Sequence, residues 1–166
     1  MSQEKDTAHT RPDNGNLSAL NASPTGQTRS RSVQQKHEKP GLPRRILVVE
    51  DDASLADLEA DVLTACGYAV TIAHTGELAV LALQESVPDL VVLDLELPGG
   101  VTGWDVLQVL RTHSRIPVLL TSSETAVRKR IRTRGETRST LDHLPKPYPM
   151  QALLKRIAHM LITVPQ

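Results

Sequence analysis

Between residues 46 and 162, short unbroken aliphatic runs alternate with stretches in which apolar residues return every three or four positions. The runs ILVV (46–49), YAVTIA (68–73), DLVVLDL (89–95), IPVLLTS (116–122) and Leu141–Leu144 predict five strands. Leu55, Leu58, Val62 and Leu63 predict the first helix, with Asp52 or Ser54 as N-cap and Gly67 as its stop. Further helices are predicted over Glu77–Glu85, Trp104–Arg111, Ala126–Arg134 and Met150–Ile162, while LPGGVTG (97–103) is a loop by its proline and glycines. Strands that are aliphatic throughout, not alternately polar, belong to a parallel sheet covered on both faces. With right-handed crossovers this predicts an α/β fold, an open, doubly wound sheet of five parallel strands and five helices.

Residues 1–43 break the pattern. They are rich in Ser, Thr, Gln, Asn, Pro and Gly, with only Leu17, Leu20, Val33 and Leu42 as large apolar residues. Such a segment buries too little surface to offset its ordering entropy, so a disordered leader is expected over 1–43 and a folded domain over 44–163. The 166-residue chain has zero formal net charge, but residues 1–45 carry eight Lys/Arg against four Asp/Glu and the remainder eleven against fifteen. Neither half is charged enough to imply nucleic-acid binding, and no direct DNA contact is expected. The single cysteine, Cys66, excludes an intrachain disulfide and is expected to be a buried, inert thiol. No apolar run is long enough for a membrane span and no signal-peptide core is present, so a cytoplasmic protein is expected.

In a doubly wound sheet the chemistry gathers beyond the carboxyl ends of the strands. There the sequence places Glu50, Asp51 and Asp52 after the first strand, Asp94 at the end of the third, Thr121 to Ser123 at the fourth and Lys146 at the fifth. Asp52 reads as a helix cap. Converging carboxylates disfavour their shared ionised state, and a hard divalent cation such as Mg²⁺ relieves that. Asp94 is suited to act as a carboxylate nucleophile forming an acyl phosphate, with Lys146 and the Thr121 hydroxyl on the phosphoryl oxygens. Neither GxGxxG nor GxxxxGK[ST] occurs, so the donor is expected to be a phosphorylated protein or small molecule and not a nucleotide held by this chain.

VVEDD, PDLVVLDLELPG, IPVLLTS and LPKPY, in this order and spacing, resemble a bacterial response-regulator receiver domain over residues 45 to 163. The resemblance implies a flavodoxin-like fold with strand order 2-1-3-4-5. It implies Asp94 as phosphoacceptor from a histidine kinase or histidine phosphotransfer protein. Mg²⁺ would be held by Asp51 and Asp94, by Glu50 through water and by the backbone carbonyl of Glu96. Thr121 matches the switch hydroxyl, Lys146 the conserved lysine, and the Lys146–Pro147 bond would be cis. Output would pass through the face of the fourth helix, fifth strand and fifth helix to an unidentified downstream protein, or to a second copy in a homodimer. The chain departs from the pattern at His143, where an aromatic switch residue is usual, and at Ser122, where Ala or Gly is common. His143 is expected to share the switch with Thr121 and to bring pH sensitivity near neutrality. A stand-alone phosphorylation switch follows, with no enzyme activity beyond Mg²⁺-dependent self-phosphorylation and self-dephosphorylation. The alternatives are a degenerate receiver that only binds proteins, and a phosphatase of the haloacid-dehalogenase type. The latter needs a second Asp at position 96, where Glu96 stands.

Overall fold

A computed structural model describes residues 41–163. The expected leader lies outside the described residues apart from its last three positions. The elements follow in strict alternation: β1 Arg45–Val49, α1 Ala53–Ala65, β2 Ala69–Ala73, α2 Gly76–Glu85, β3 Leu90–Asp94, α3 Gly103–His113, β4 Val118–Ser122, α4 Val127–Arg132, β5 Leu141–Pro145 and α5 Met150–Thr163. All strand pairs are parallel, and the order across the sheet is β2-β1-β3-β4-β5. The five parallel strands predicted from the aliphatic runs are observed, in the order that the resemblance implies.

Side chains on a strand point alternately to the two faces, so each buried run feeds two cores. Ile46, Val48, Leu90, Val92 and Leu119 pack with Leu63 of α1 and Leu153, Ile157 and Met160 of α5. Leu47, Val49, Val91, Leu93 and Leu120 pack with Ala79 of α2, with Val106, Leu107 and Leu110 of α3, and with Val127 and Ile131 of α4. Each fully buried Leu, Ile or Val contributes on the order of 1.5–3 kcal/mol by leaving water.

The helix starts are set by local chemistry. Asp52 accepts from Ser54 N at 2.9 Å and Leu55 N at 3.1 Å; Thr75 accepts from Leu78 N. Thr102 and Asp105 form a reciprocal capping box. Such caps stabilise by about 0.5–2 kcal/mol each. Gly67, at φ +88°, ends α1 in a backbone conformation that L side chains rarely adopt.

Two expectations are corrected. The buried face of α1 is Ala56, Glu59 and Leu63, and Leu58 is exposed; the helix is turned relative to its most apolar stripe. Cys66 is exposed, not buried, because it is the C-cap of α1, where the chain leaves the packed face. In the basic run 127–134 the exposed Arg130 guanidinium stacks on Trp104 at 3.9 Å and that of Arg134 lies at 5.2 Å.

Candidate functional site

The register assembles the site. Asp94 at the end of β3 pairs with Thr121 on β4, Thr121 pairs with Leu144 on β5, and Leu95 N donates to Thr121 O at 3.0 Å. Glu50 directly follows β1, and its N–H donates to Ala73 O at the end of β2. Lys146 directly follows β5; its N–H donates to Ser122 O at 2.9 Å, and the Lys146–Pro147 bond is cis. The acids, hydroxyl and amine picked from sequence thus meet at the carboxyl ends of the strands.

Asp94 and Glu50 are each 2% exposed. Lys146 Nζ donates to Glu50 Oε2 at 2.8 Å and to Asp94 Oδ2 at 2.7 Å, so one ammonium bridges two buried carboxylates. Burial pushes the Glu50 carboxyl up to about 7, the Lys146 hydrogen bond opposes this, and the charge of Asp94 adds to it. Burial is the largest single influence on Lys146 and pulls it down. The hydrogen bonds and charges of Asp94 and Glu50 together outweigh it and hold the ammonium above the ordinary lysine range.

Glu50, Asp51 and Asp94 each offer an oxygen within 4.8 Å of the others. Three hard oxygen donors at that spacing, two of them buried and one pushed toward protonation by burial and then by the other's charge, fit a divalent cation such as Mg²⁺. Asp51 is the exposed member of the three, on the solvent side where a metal would keep its waters.

The remaining candidates fall around this cluster. Thr121 is 1% exposed, and its Oγ1 has no hydrogen-bond partner. A buried hydroxyl left unpaired is costly, and this one stands on the residue in register with Asp94. Glu96 N donates to Asp94 Oδ1 at 2.9 Å, and its carboxylate accepts from Ser123 N at 3.0 Å, tying the loop after β3 to the loop after β4. Ser122 Oγ accepts from Glu124 N at 2.8 Å and stays in its own turn. Gly103 has no room for a side chain: a Cβ there would lie 2.2 Å from Asp94 O and 2.7 Å from Leu95 Cα. His74 Nδ1 sits 3.1 Å from the Glu50 carbonyl oxygen, an unforeseen prop for the acidic turn.

His143 pairs in register with Leu120, one residue before Thr121. It is 2% exposed, and neither ring nitrogen has a partner. Burial first, and then the charge of Arg128, hold its imidazole below the ordinary histidine range. It lines a depression of about 270 Å³ between α4 and β5 with Arg128, Arg132 and Arg138. Asp142 on the same strand is occupied by Arg138 and Arg156.

Sequence reasoning missed two buried polar pairs. Arg111 of α3 pairs with Glu136, 2.8 Å apart. Tyr148 donates its hydroxyl to Glu59 at 2.6 Å. The signal for Glu59 was its i+3 spacing from Ala56 and i+4 spacing to Leu63, which puts a carboxyl on a buried stripe.

Comparison with known proteins agrees with this fold. The family model for the response regulator receiver domain matches residues 46–158. The DNA-binding response regulator MtrA of Mycobacterium tuberculosis is 38% identical over 116 residues, 70% of this chain and 50% of MtrA. The sensory transduction protein RegX3 of Mycolicibacterium smegmatis is 36% identical over 117 residues, 70% of this chain and 50% of RegX3. The match therefore takes in about half the length of these curated relatives. Among solved structures, the N-terminal domain of a response regulator/sensory box/GGDEF protein from Carboxydothermus hydrogenoformans superposes with TM-score 0.62 at 32% identity, covering 72% of this chain and 94% of that one. The chemotaxis protein CheY4 of Vibrio cholerae gives TM-score 0.63 at 25% identity, covering 71% and 98%.

Proposed function

This chain belongs to the response regulator receiver domain family, and from that membership we propose that residues 44–163 form the phosphoacceptor module of a two-component phosphorelay. Asp94 takes the phosphoryl group from a histidine kinase or a histidine phosphotransfer protein. The observation that carries this reading is the juxtaposition of Asp94 with Lys146 Nζ at 2.7 Å and with the partnerless Thr121 hydroxyl on the adjacent strand.

Asp94 attacks the phosphorus of the donor. A P–O bond forms to its carboxylate, the P–N bond to the donor imidazole breaks, and a proton returns to that imidazole. Lys146 neutralises charge on the acyl phosphate and Thr121 donates its hydroxyl to a phosphoryl oxygen. Glu50, Asp51, Asp94 and the carbonyl of Glu96 would hold Mg²⁺. Bound there, the cation would offset phosphoryl charge and the mutual repulsion of the acids. The chemistry is confined to the chain's own aspartate, its phosphorylation and its hydrolysis, and this is a switch, not an enzyme acting on a free substrate.

Drawing Thr121 toward the phosphoryl group empties its place beside β5, and His143, adjacent in register, shares the response. The α4–β5–α5 face then shifts between two populations. Arg128, Arg132 and Arg138 outnumber Glu136 and Asp142 around the depression on that face, which favours a downstream partner that presents an acidic segment. Among the described residues no helix is long and apolar enough to cross a membrane.

The test is incubation of the full chain with Mg²⁺ and acetyl phosphate, followed by intact mass spectrometry. A single added phosphoryl group, labile to hydroxylamine as an acyl phosphate is, is expected in wild type and absent from Asp94→Asn. Equal labelling of Asp94→Asn overturns the assignment, and no labelling of wild type leaves a module that only binds proteins.

A further inference from the structure

Glu59 is a fully buried carboxyl for which the phosphoryl chemistry has no use. It lies on the sheet-facing side of α1 between Ala56 and Leu63 and is 0% exposed. No cation forms an ion pair with it among the described residues. Its one hydrogen bond comes from the Tyr148 hydroxyl, which donates to Oε1 at 2.6 Å across 89 positions of chain, and Oε2 has no partner. Burial pushes the Glu59 carboxyl up, and burial followed by the charge of Glu59 pushes the Tyr148 hydroxyl up. The pair is therefore favoured in its neutral form.

Stability does not account for it. Buried polar pairs are commonly matched or bettered by apolar residues of the same volume, and here one carboxyl oxygen is left unsatisfied. Position does account for it. Tyr148 is two residues after Lys146, and its ring packs in the core shared by α1 and α5. The segment from Lys146 to Tyr148 is held at its start by the Lys146 N–H on Ser122 O and at its end by the hydroxyl on Glu59. One tether thus touches the segment that carries the lysine.

We propose that Glu59 is a positioning residue for Lys146: through the Tyr148 hydroxyl it fixes the segment after β5 against α1 and so keeps the Lys146 ammonium on Asp94. The inference rests on the phosphoacceptor reading of Asp94 and adds to it a carboxyl that touches neither phosphoryl group nor metal.

Beryllofluoride, a phosphoryl mimic at Asp94, provides the test, with affinities measured by calorimetry on the full chain at saturating Mg²⁺. Glu59→Gln keeps an acceptor for Tyr148 and is expected to bind beryllofluoride as wild type does. Glu59→Leu and Tyr148→Phe are expected to lose on the order of tenfold in that affinity, with Mg²⁺ affinity changed less. The double variant Glu59→Leu/Tyr148→Phe removes both polar partners. It is expected to recover thermal stability relative to Tyr148→Phe but not beryllofluoride affinity, which separates positioning from folding. Wild-type affinity in Tyr148→Phe and Glu59→Leu, or a loss that tracks stability across all four variants, overturns the proposal. Failure of the wild type to bind beryllofluoride overturns the phosphoacceptor reading itself and the proposal with it.

Discussion

Lys146 Nζ lies 2.7 Å from Asp94 Oδ2, a lysine joined to an aspartate 52 positions earlier in the chain. The same ammonium holds Glu50 at 2.8 Å. It pairs with two of the carboxylates a divalent cation would need and also supplies positive charge to whatever Asp94 carries. Removing it should separate these two effects. Lys146→Ala is expected to bind Mg²⁺ more tightly than wild type, because competition for Glu50 and Asp94 is lost. It is expected to accept phosphoryl groups about 100-fold more slowly. Trp104 follows Gly103, which abuts the Asp94 backbone, so its fluorescence gives the Mg²⁺ titration. Equal losses in Mg²⁺ affinity and phosphorylation rate would instead make Lys146 a structural prop.

Glu50 makes stability depend on pH with a definite sign. Its carboxyl rises from the ordinary 4.5 to about 7, chiefly through burial. The folded protein therefore holds a proton there that the unfolded chain has released, and stability falls as pH rises from about 4.5 to about 7. Mg²⁺ needs the ionised form, so its affinity rises over the same interval. Glu59 slopes in the same direction, so the difference between wild type and Glu50→Gln is what counts. Thermal melts without metal at pH 5 and 7.5 should show a smaller fall in Glu50→Gln; an identical fall would remove Glu50 from the account.

Most of this site was legible in the chain because each acid, hydroxyl and amine stands where an aliphatic run stops. Asp94 ends VVLD, Thr121 ends VLLT, and Glu50 and Lys146 directly follow β1 and β5. A parallel sheet converts such stops into neighbours without further information. What stayed hidden depends on helix rotation and on side-chain reach. Leu58 fits the apolar period of α1 yet faces solvent, while Glu59 faces the core and meets the Tyr148 hydroxyl there. Cys66 fits the same period but falls at the cap. Arg111 and Glu136 are 25 positions apart in polar sequence, and no local pattern pairs them.

His143 carries an unmet cost. Both ring nitrogens are buried without partners, and burial with Arg128 keeps the imidazole below the ordinary histidine range. A depressed base loses stability as pH falls through the unfolded value near 6.5. His143→Phe should add about 1 kcal/mol at neutral pH by removing unsatisfied groups. The gap should widen at pH 5.5, as chemical denaturation at the two pH values would show. A variant less stable than wild type at both would mean the ring nitrogens find partners in solution.

Gly103 allows α3 to start against the phosphoacceptor strand. A Cβ there would fall 2.2 Å from Asp94 O, which is backbone and cannot swing aside. Gly103→Ala should cost about 1–3 kcal/mol and also displace the turn in which Glu96 N caps Asp94 Oδ1. Mg²⁺ affinity is therefore expected to drop along with the melting temperature. Unchanged metal binding in a destabilised Gly103→Ala protein would uncouple the turn from the site.

Arg111 ties α3 to the long connection between α4 and β5. Its guanidinium reaches both carboxylate oxygens of Glu136, the Ile116 carbonyl at 3.0 Å and the Thr140 carbonyl at 2.9 Å. The two side chains are 8% and 9% exposed, so solvent screens the pair little. Removing one partner strands the other charge, and Arg111→Ala should cost about 3–5 kcal/mol. An apolar pair strands nothing, so Arg111→Met/Glu136→Leu should cost less than Arg111→Ala alone, although Ile116 and Thr140 still lose their donor. Urea unfolding of the three proteins measures this directly. If Arg111→Ala falls within about 0.5 kcal/mol of wild type, the level expected of an exposed ion pair, then the connection before β5 is held by other contacts.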